Sequence, residues 1–387
     1  MMFSARLPPY SEPNRLTLTL AALRERGDVI IDLTESNPTK AGLPYPADLL
    51  APLADARALR YDPHPLGLAS ARAAVAADQA RRGVTIDPAH VVLTASTSEA
   101  YTWVFKLLCD PGASVLVPRP SYPLFEHLTR LEGVRAEPYD LDYHGRWEID
   151  FASLAHAAAD ARAILVVSPN NPTGSYVSAH DFERLQAFCR DRGCALVADE
   201  VFVDYPLDAA SATTDLAVHA EVLAFTLGGL SKSCGLPQLK LGWIVVGGPA
   251  TARGSALAAI ELIADSFLSV GTPVQIAAPE LLARATPVRE AIHARIRRNL
   301  DCARRAARQV PACEVLRAEG GWCAVVRIPA TRTEEQFVLH LLETERILVH
   351  PGYFFDFCAE AFIVVSLLPA EDLFARAFPR VLHAAVS

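Results

Sequence analysis

Ala163-Ile164-Leu165-Val166-Val167-Ser168 runs straight into Pro169-Asn170-Asn171-Pro172-Thr173-Gly174, and further on Cys194-Ala195-Leu196-Val197-Ala198 runs into Asp199-Glu200. Each is a short, almost wholly apolar run that stops abruptly at polar or turn-forming residues. Such runs read as strands buried on both faces, as in a parallel sheet covered by helices. The pattern recurs at 91–95, 114–117, 222–227 and 241–246, and helical spacing fills the stretches 99–108, 124–132, 179–192 and 251–266 between them. Strands alternating with helices predict right-handed crossovers and an α/β fold with a mainly parallel sheet.

Beyond about residue 270 the rhythm changes. Residues 274–309 are rich in Ala, Arg and Leu and predict long helices, with breaks near Pro279 and Pro287. Strands at 322–328 and 362–367 and helices at 334–345 and 371–385 follow, an α+β tail suited to a smaller domain. The first forty residues hold one amphipathic helix, 16–26, among many prolines. The expected division is an N-terminal arm with part of the small domain (1–40), a large domain (41–270) and a small C-terminal domain (271–387).

The 387 residues suit two modest domains, and 51% hydrophobic content supplies a large core. A net charge of −8, with signs interspersed, argues against a nucleic-acid partner, whose phosphates need a basic footprint. The N-terminus lacks the basic and apolar regions of a secretory signal, and no apolar run reaches the roughly 18 residues of a membrane span. Eight cysteines occur without a CxxC pair, in spacings that fit neither zinc nor a disulfide framework. The expectation is reduced thiols in a cytoplasmic protein with no metal.

In an open parallel sheet, ligands bind outside the carboxyl ends of the strands. Polar clusters fall at those ends: Ser96-Thr97-Ser98 after 91–95, Asn170 to Gly174 after 163–168, Asp199-Glu200 after 194–199, and Ser231-Lys232 beyond 222–227. Each alone has an ordinary reading, as a helix cap, a turn, a surface acid or a solvated lysine. Their order is the informative part.

Tyr61 in Tyr-x5-Gly, the Ser/Thr-rich helix start, Asn171-Pro172-Thr173-Gly174, Asp199 and Ser231-Lys232 together resemble the class I/II aminotransferases of pyridoxal-5′-phosphate (PLP) fold type I, over almost the whole chain. The resemblance implies a seven-stranded type of sheet and a Schiff base between Lys232 and PLP. It implies Asp199 facing the cofactor's ring nitrogen, Asn171 on its phenolic oxygen and Tyr122 stacked on its ring. Thr97 and Ser98 would offer N–H groups to the phosphate, which favours a helix N-terminus, with Lys240 as its cation, and Ser96 and Ser231 would also bind the cofactor. Once displaced by substrate, the Lys232 amine would shuttle the Cα proton, for which its pKa must fall. Tyr61 and the 269–273 loop resemble segments that reach a partner subunit's site, implying a homodimer with shared active sites. Asn37 resembles a substrate-entry residue.

Departures from the family pattern are also legible. Lys240 stands where an arginine is expected, Gly229 where a serine is common, and Phe202 where a tyrosine is usual. Val364 occupies the place of the arginine that clamps the substrate α-carboxylate. Arg327, Trp322, Tyr353, Phe354, His350 and His64 are the alternative substrate contacts. The implied activity is amino transfer between an amino acid or amine and a 2-oxo acid. Other PLP reactions on the same fold (β-elimination, decarboxylation, racemisation) and a non-catalytic PLP-binding module remain as alternatives.

Overall fold

The computed structural model describes residues 3–8, 12–157, 160–208 and 215–387. Its centre is an eight-stranded sheet. The strands are β1 (Val91–Thr94), β2 (Ser114–Arg119), β3 (Arg135–Tyr143), β4 (Trp147–Ile149), β5 (Ala163–Val167), β6 (Ala195–Asp199), β7 (Ala224–Gly229) and β8 (Gly242–Gly247). They lie in the order β1-β8-β7-β6-β5-β2-β3-β4. The run β7-β6-β5-β2-β3 is parallel throughout. β8 runs against both β7 and β1, and β4 runs against β3.

Every residue of β1 and β5 to β8 is buried, because helices cover both faces of the sheet. The expected strands are all present, and two more join them. The seven-stranded expectation becomes eight because the short β4 folds back on β3 as a hairpin edge.

Two long helices, Thr272–Arg284 and Thr286–Ala307, meet at Ala285. Pro287 opens the second, where its missing N–H costs nothing, while Pro279 lies within the first without ending it. Beyond them a four-stranded antiparallel sheet forms from β9 (Glu314–Val315), β10 (Cys323–Arg327), β11 (His350–Pro351) and β12 (Phe362–Ser366), in the order β9-β10-β12-β11. The N-terminal segment reaches this region: Ile31–Asp32 pairs in parallel with Ile347–Leu348, and Ser366 N–H donates to the Leu33 carbonyl at 2.7 Å. Among the described residues no helix is long and apolar enough to cross a membrane.

The sheet register sets the site. Val167 of β5 lies opposite Asp199 of β6, and Asp199 lies opposite Leu227 of β7. β5 and β6 therefore end level with one another, and β7 runs two residues further to Gly229 before the turn that carries Lys232.

Candidate active site

A cavity of about 290 Å³ opens at these strand ends. Asn171, Asp199, Ser231 and Lys232 line it from the sheet, and Ser96, Thr97 and Ser98 line it from the start of the helix Thr97–Leu108. Tyr122, Lys240 and Trp322 complete the group of expected residues that the fold brings together there.

Asp199 is 9% exposed. Burial raises its carboxyl pKa; the Val201 N–H at 3.1 Å, the Tyr101 hydroxyl at 2.9 Å and the charge of Lys232 all act in the opposite direction. Lys232 lies in the short helical turn Leu230–Ser233 that follows β7 directly. Its carbonyl accepts from the Tyr205 hydroxyl at 2.6 Å, and the adjacent Ser233 carbonyl accepts from Arg289 Nε at 2.8 Å. Burial lowers the pKa of its amine, with the charge of Asp199 countering. The Nζ lies 5.5 Å from the Phe202 ring centre and 5.1 Å from that of Trp322. Those two rings pack edge-on at 5.3 Å, so Phe202 serves as the wall behind the lysine.

The Asn-Asn-Pro-Thr-Gly turn divides its work. Asn170 is buried and accepts from Ser121 Oγ at 2.9 Å, while its Nδ2 donates to the Pro120 carbonyl and to Thr173 Oγ1. These bonds tie the Tyr122 loop to the turn and leave Asn171 to face the cavity. Gly174 has φ +71°, and a Cβ there would fall 2.6 Å from the Gly320 carbonyl oxygen. Its carbonyl accepts from the Glu319 and Gly320 N–H groups, which brings Trp322 and Cys323 to the cavity rim.

At the other end, Ser96 caps the helix by accepting from the Glu99 N–H at 3.2 Å. The Thr97 and Ser98 N–H groups belong to the first turn and have no intrahelical partner. With Lys240 and Ser231 beside them they form a corner suited to a dianion.

Some expected residues lie elsewhere. Arg327 sits at the opposite end of β10 from the cavity, roughly 13 Å along the strand from Cys323, and is ion-paired with Glu314. It is not brought to the site, because Cys323 rather than Arg327 is at the cleft end of the strand. Asn37 is held within its own turn, its Oδ1 accepting from the Thr39 N–H and hydroxyl; its neighbour Ser36 lines the cavity instead. Tyr61 is 73% exposed and lines a separate depression with His64, Ser269, Val270 and Thr272. Val364 is fully buried, opposite Val325 and His350. His350 packs on Phe354 and Phe355 outside the cavity lining, and burial lowers its pKa.

Residues that sequence reasoning missed include Tyr101, Ser36 and Cys323. Tyr101 lies on the apolar face of its helix, where the one available signal was a phenol that must find a partner once buried. Glu200, next to Asp199, is buried behind the strand end. Its two oxygens accept from the Asp215 and Leu216 N–H groups at 3.1 and 2.9 Å. Burial, with the charge of Asp215, pushes its carboxyl up to about 8.

The fold is an α/β one whose doubly covered sheet sets an amine, a carboxylate and a helix N-terminus around one cleft. Residues 29–373 match the sequence profile of aminotransferase class I and II, and the chain belongs to that family. It is 28% identical over 370 residues to an alanine aminotransferase of Mycobacterium tuberculosis, covering 93% of this chain and 86% of the relative. It is 25% identical over 368 residues to a glutamate–pyruvate aminotransferase of Escherichia coli, covering 91% and 89%. Among solved structures, an aspartate aminotransferase single mutant of Thermus thermophilus superposes with a TM-score of 0.85 at 22% identity, covering 99% of this chain and 100% of that one. The protein is thus an enzyme that transfers amino groups, in a family whose members depend on PLP. Membership favours amino transfer over the elimination, decarboxylation, racemisation and non-catalytic alternatives.

Proposed function

We propose that the cleft binds PLP and moves an amino group between an amino acid or amine and a 2-oxo acid, with Lys232 as the residue that carries the cofactor covalently. The supporting observation is the presence around one cavity of a half-buried amine and a buried carboxylate from adjacent strand ends, with free helix N–H groups beside them. When bound, PLP supplies an aldehyde that condenses with amines and a protonated ring that accepts electrons from the substrate carbon.

The chain's residues fit that group. Asp199, whose charged form Val201 N–H, Tyr101 and Lys232 favour against the opposing effect of burial, would face the ring nitrogen and hold its proton in place. Asn171 offers an amide to the phenolic oxygen, and Tyr122 covers the ring. Thr97 and Ser98 N–H groups, with Ser96, Ser231 and Lys240, hold the phosphate; lysine supplies charge there without arginine's planar fork. Lys232, its amine less basic than an exposed lysine, takes and returns a proton at the substrate carbon. Trp322 and Phe202 exclude water from that proton transfer.

The reading extends to a homodimer. Tyr61, exposed and outside the lining of its own cleft, serves the partner's phosphate site, with the 269–272 segment beside it. The names of the relatives support amino-acid and oxo-acid substrates. The division 1–40, 41–270 and 271–387 is supported by the pairing of Ile31–Asp32 with Ile347–Leu348. A cytoplasmic setting is supported by eight unpaired cysteines. The deciding experiment is Lys232→Ala. It abolishes turnover and the absorbance of covalently held cofactor, while PLP still binds reversibly. Turnover at the parent rate would overturn the proposal.

A further inference from the structure

Cys323 stands at the cleft end of β10, where Gly174, Glu319 and Gly320 lock the preceding loop against the Asn171 turn. Its Sγ lies 3.5 Å from Asn171 Oδ1. Burial pushes the thiol up to about 12, so the sulfur keeps its proton and acts as a donor toward that oxygen. The Asn171 Nδ2 group has no hydrogen-bond partner among the described residues, although the side chain lines the cavity. An asparagine amide has two faces of opposite character. Which one enters a cleft depends on what holds the other.

We infer that Cys323 is a positioning residue: its thiol holds the Asn171 carbonyl oxygen at the cavity wall and thereby turns the amide N–H₂ toward the cofactor's phenolic oxygen. The inference rests on the reading of the cleft as a PLP site. With the amide reversed, a carbonyl oxygen would face the phenolic oxygen, two acceptors in contact. A donor to the phenolic oxygen favours its anionic form, so the orientation also sets the pH at which the bound cofactor changes its visible absorbance.

The test uses the full chain freed of cofactor and titrated with PLP, followed by absorbance. Cys323→Ala is expected to weaken PLP binding about three- to tenfold, the range for one modest hydrogen bond. It is also expected to move the absorbance midpoint to higher pH. Cys323→Val, closer in volume and without a donor, repeats the effect if the alanine variant fails to fold. Cys323→Ser restores a donor and keeps the affinity within about twofold of the parent. In the Asn171→Ala background, Cys323→Ala adds no further loss. Unchanged affinity and midpoint in both the alanine and valine variants, or losses that multiply in the double variant, would overturn the inference while leaving the cofactor site standing. Unchanged PLP affinity in Asn171→Ala alone would overturn the reading of Asn171 beneath it.

Discussion

Replacing Tyr101 with phenylalanine isolates one hydrogen bond at the centre of the proposed chemistry. The Tyr101 hydroxyl donates to Asp199 Oδ2 at 2.9 Å, and the residue is 3% exposed. Its ring packs edge-on against Phe125 at 5.4 Å and lies 5.9 Å from Phe105, contacts that phenylalanine keeps. The substitution therefore removes a donor and little else. A hydrogen bond to a charged group contributes about 1.5–3 kcal/mol, which corresponds to roughly a tenfold to hundredfold change in an equilibrium constant. Part of this is recovered because the Val201 N–H and the Lys232 charge still support the carboxylate. The expected loss in PLP affinity is therefore near the lower end, about tenfold. Burial already raises the Asp199 carboxyl, and losing the phenol raises it further, so the ring nitrogen loses its anionic partner at a higher pH than in the parent. Absorbance titration of the cofactor-free protein with PLP, repeated across pH, measures both effects. Parent-like affinity and pH dependence in Tyr101→Phe, alongside a large loss in Asp199→Ala, would refute the claim that the phenol supports the carboxylate.

Other predictions follow from the same geometry. Burial lowers the Lys232 pKa in the folded cofactor-free chain below its ordinary 10.5. Between those two values the unfolded chain binds the extra proton, so stability rises with pH across that window. Lys232→Met should thus stabilise the cofactor-free protein most on the acid side of the window and cease to do so above about 10.5, as chemical denaturation at several pH values would show. Gly174→Ala combines a left-handed φ with a Cβ 2.6 Å from the Gly320 oxygen. It should cost about 1–3 kcal/mol of stability and weaken PLP binding by displacing Trp322 and Cys323. Tyr61→Ala should lower PLP affinity despite lying outside its own cleft, with the sedimentation coefficient showing whether the dimer persists.

The parallel sheet was legible because strands buried on both faces leave uninterrupted apolar runs, and the polar residues that end β1, β5, β6 and β7 mark the ligand edge. β3 escaped notice for the converse reason. Arg135, Glu137, Pro138, Asp140 and Asp142 interrupt it, since near the sheet edge only Tyr139 and Leu141 are buried. Motif order groups the lysine, the aspartate and the helix start, and all three line the one cavity. The placement of Arg327 was not legible, because a strand pattern does not say which end faces the cleft. Tyr101 stayed hidden because a helical tyrosine on an apolar face looks like core until its hydroxyl partner, 98 positions away, is known. The turn that Asn37 stabilises presents Ser36 to the cavity, a choice of neighbour that the motif does not encode.

Asp199 and Glu200 are consecutive, yet one addresses the cavity while the other grips the backbone of Asp215 and Leu216 behind it. The Asp199 carboxylate is thereby anchored like a tooth, with its root in a buried network that includes Arg82. Changes in that root would reach the chemistry as a small tilt of the crown. A laboratory selection for altered rate should accordingly recover substitutions at Arg82 or Leu216, neither of which lines the cleft.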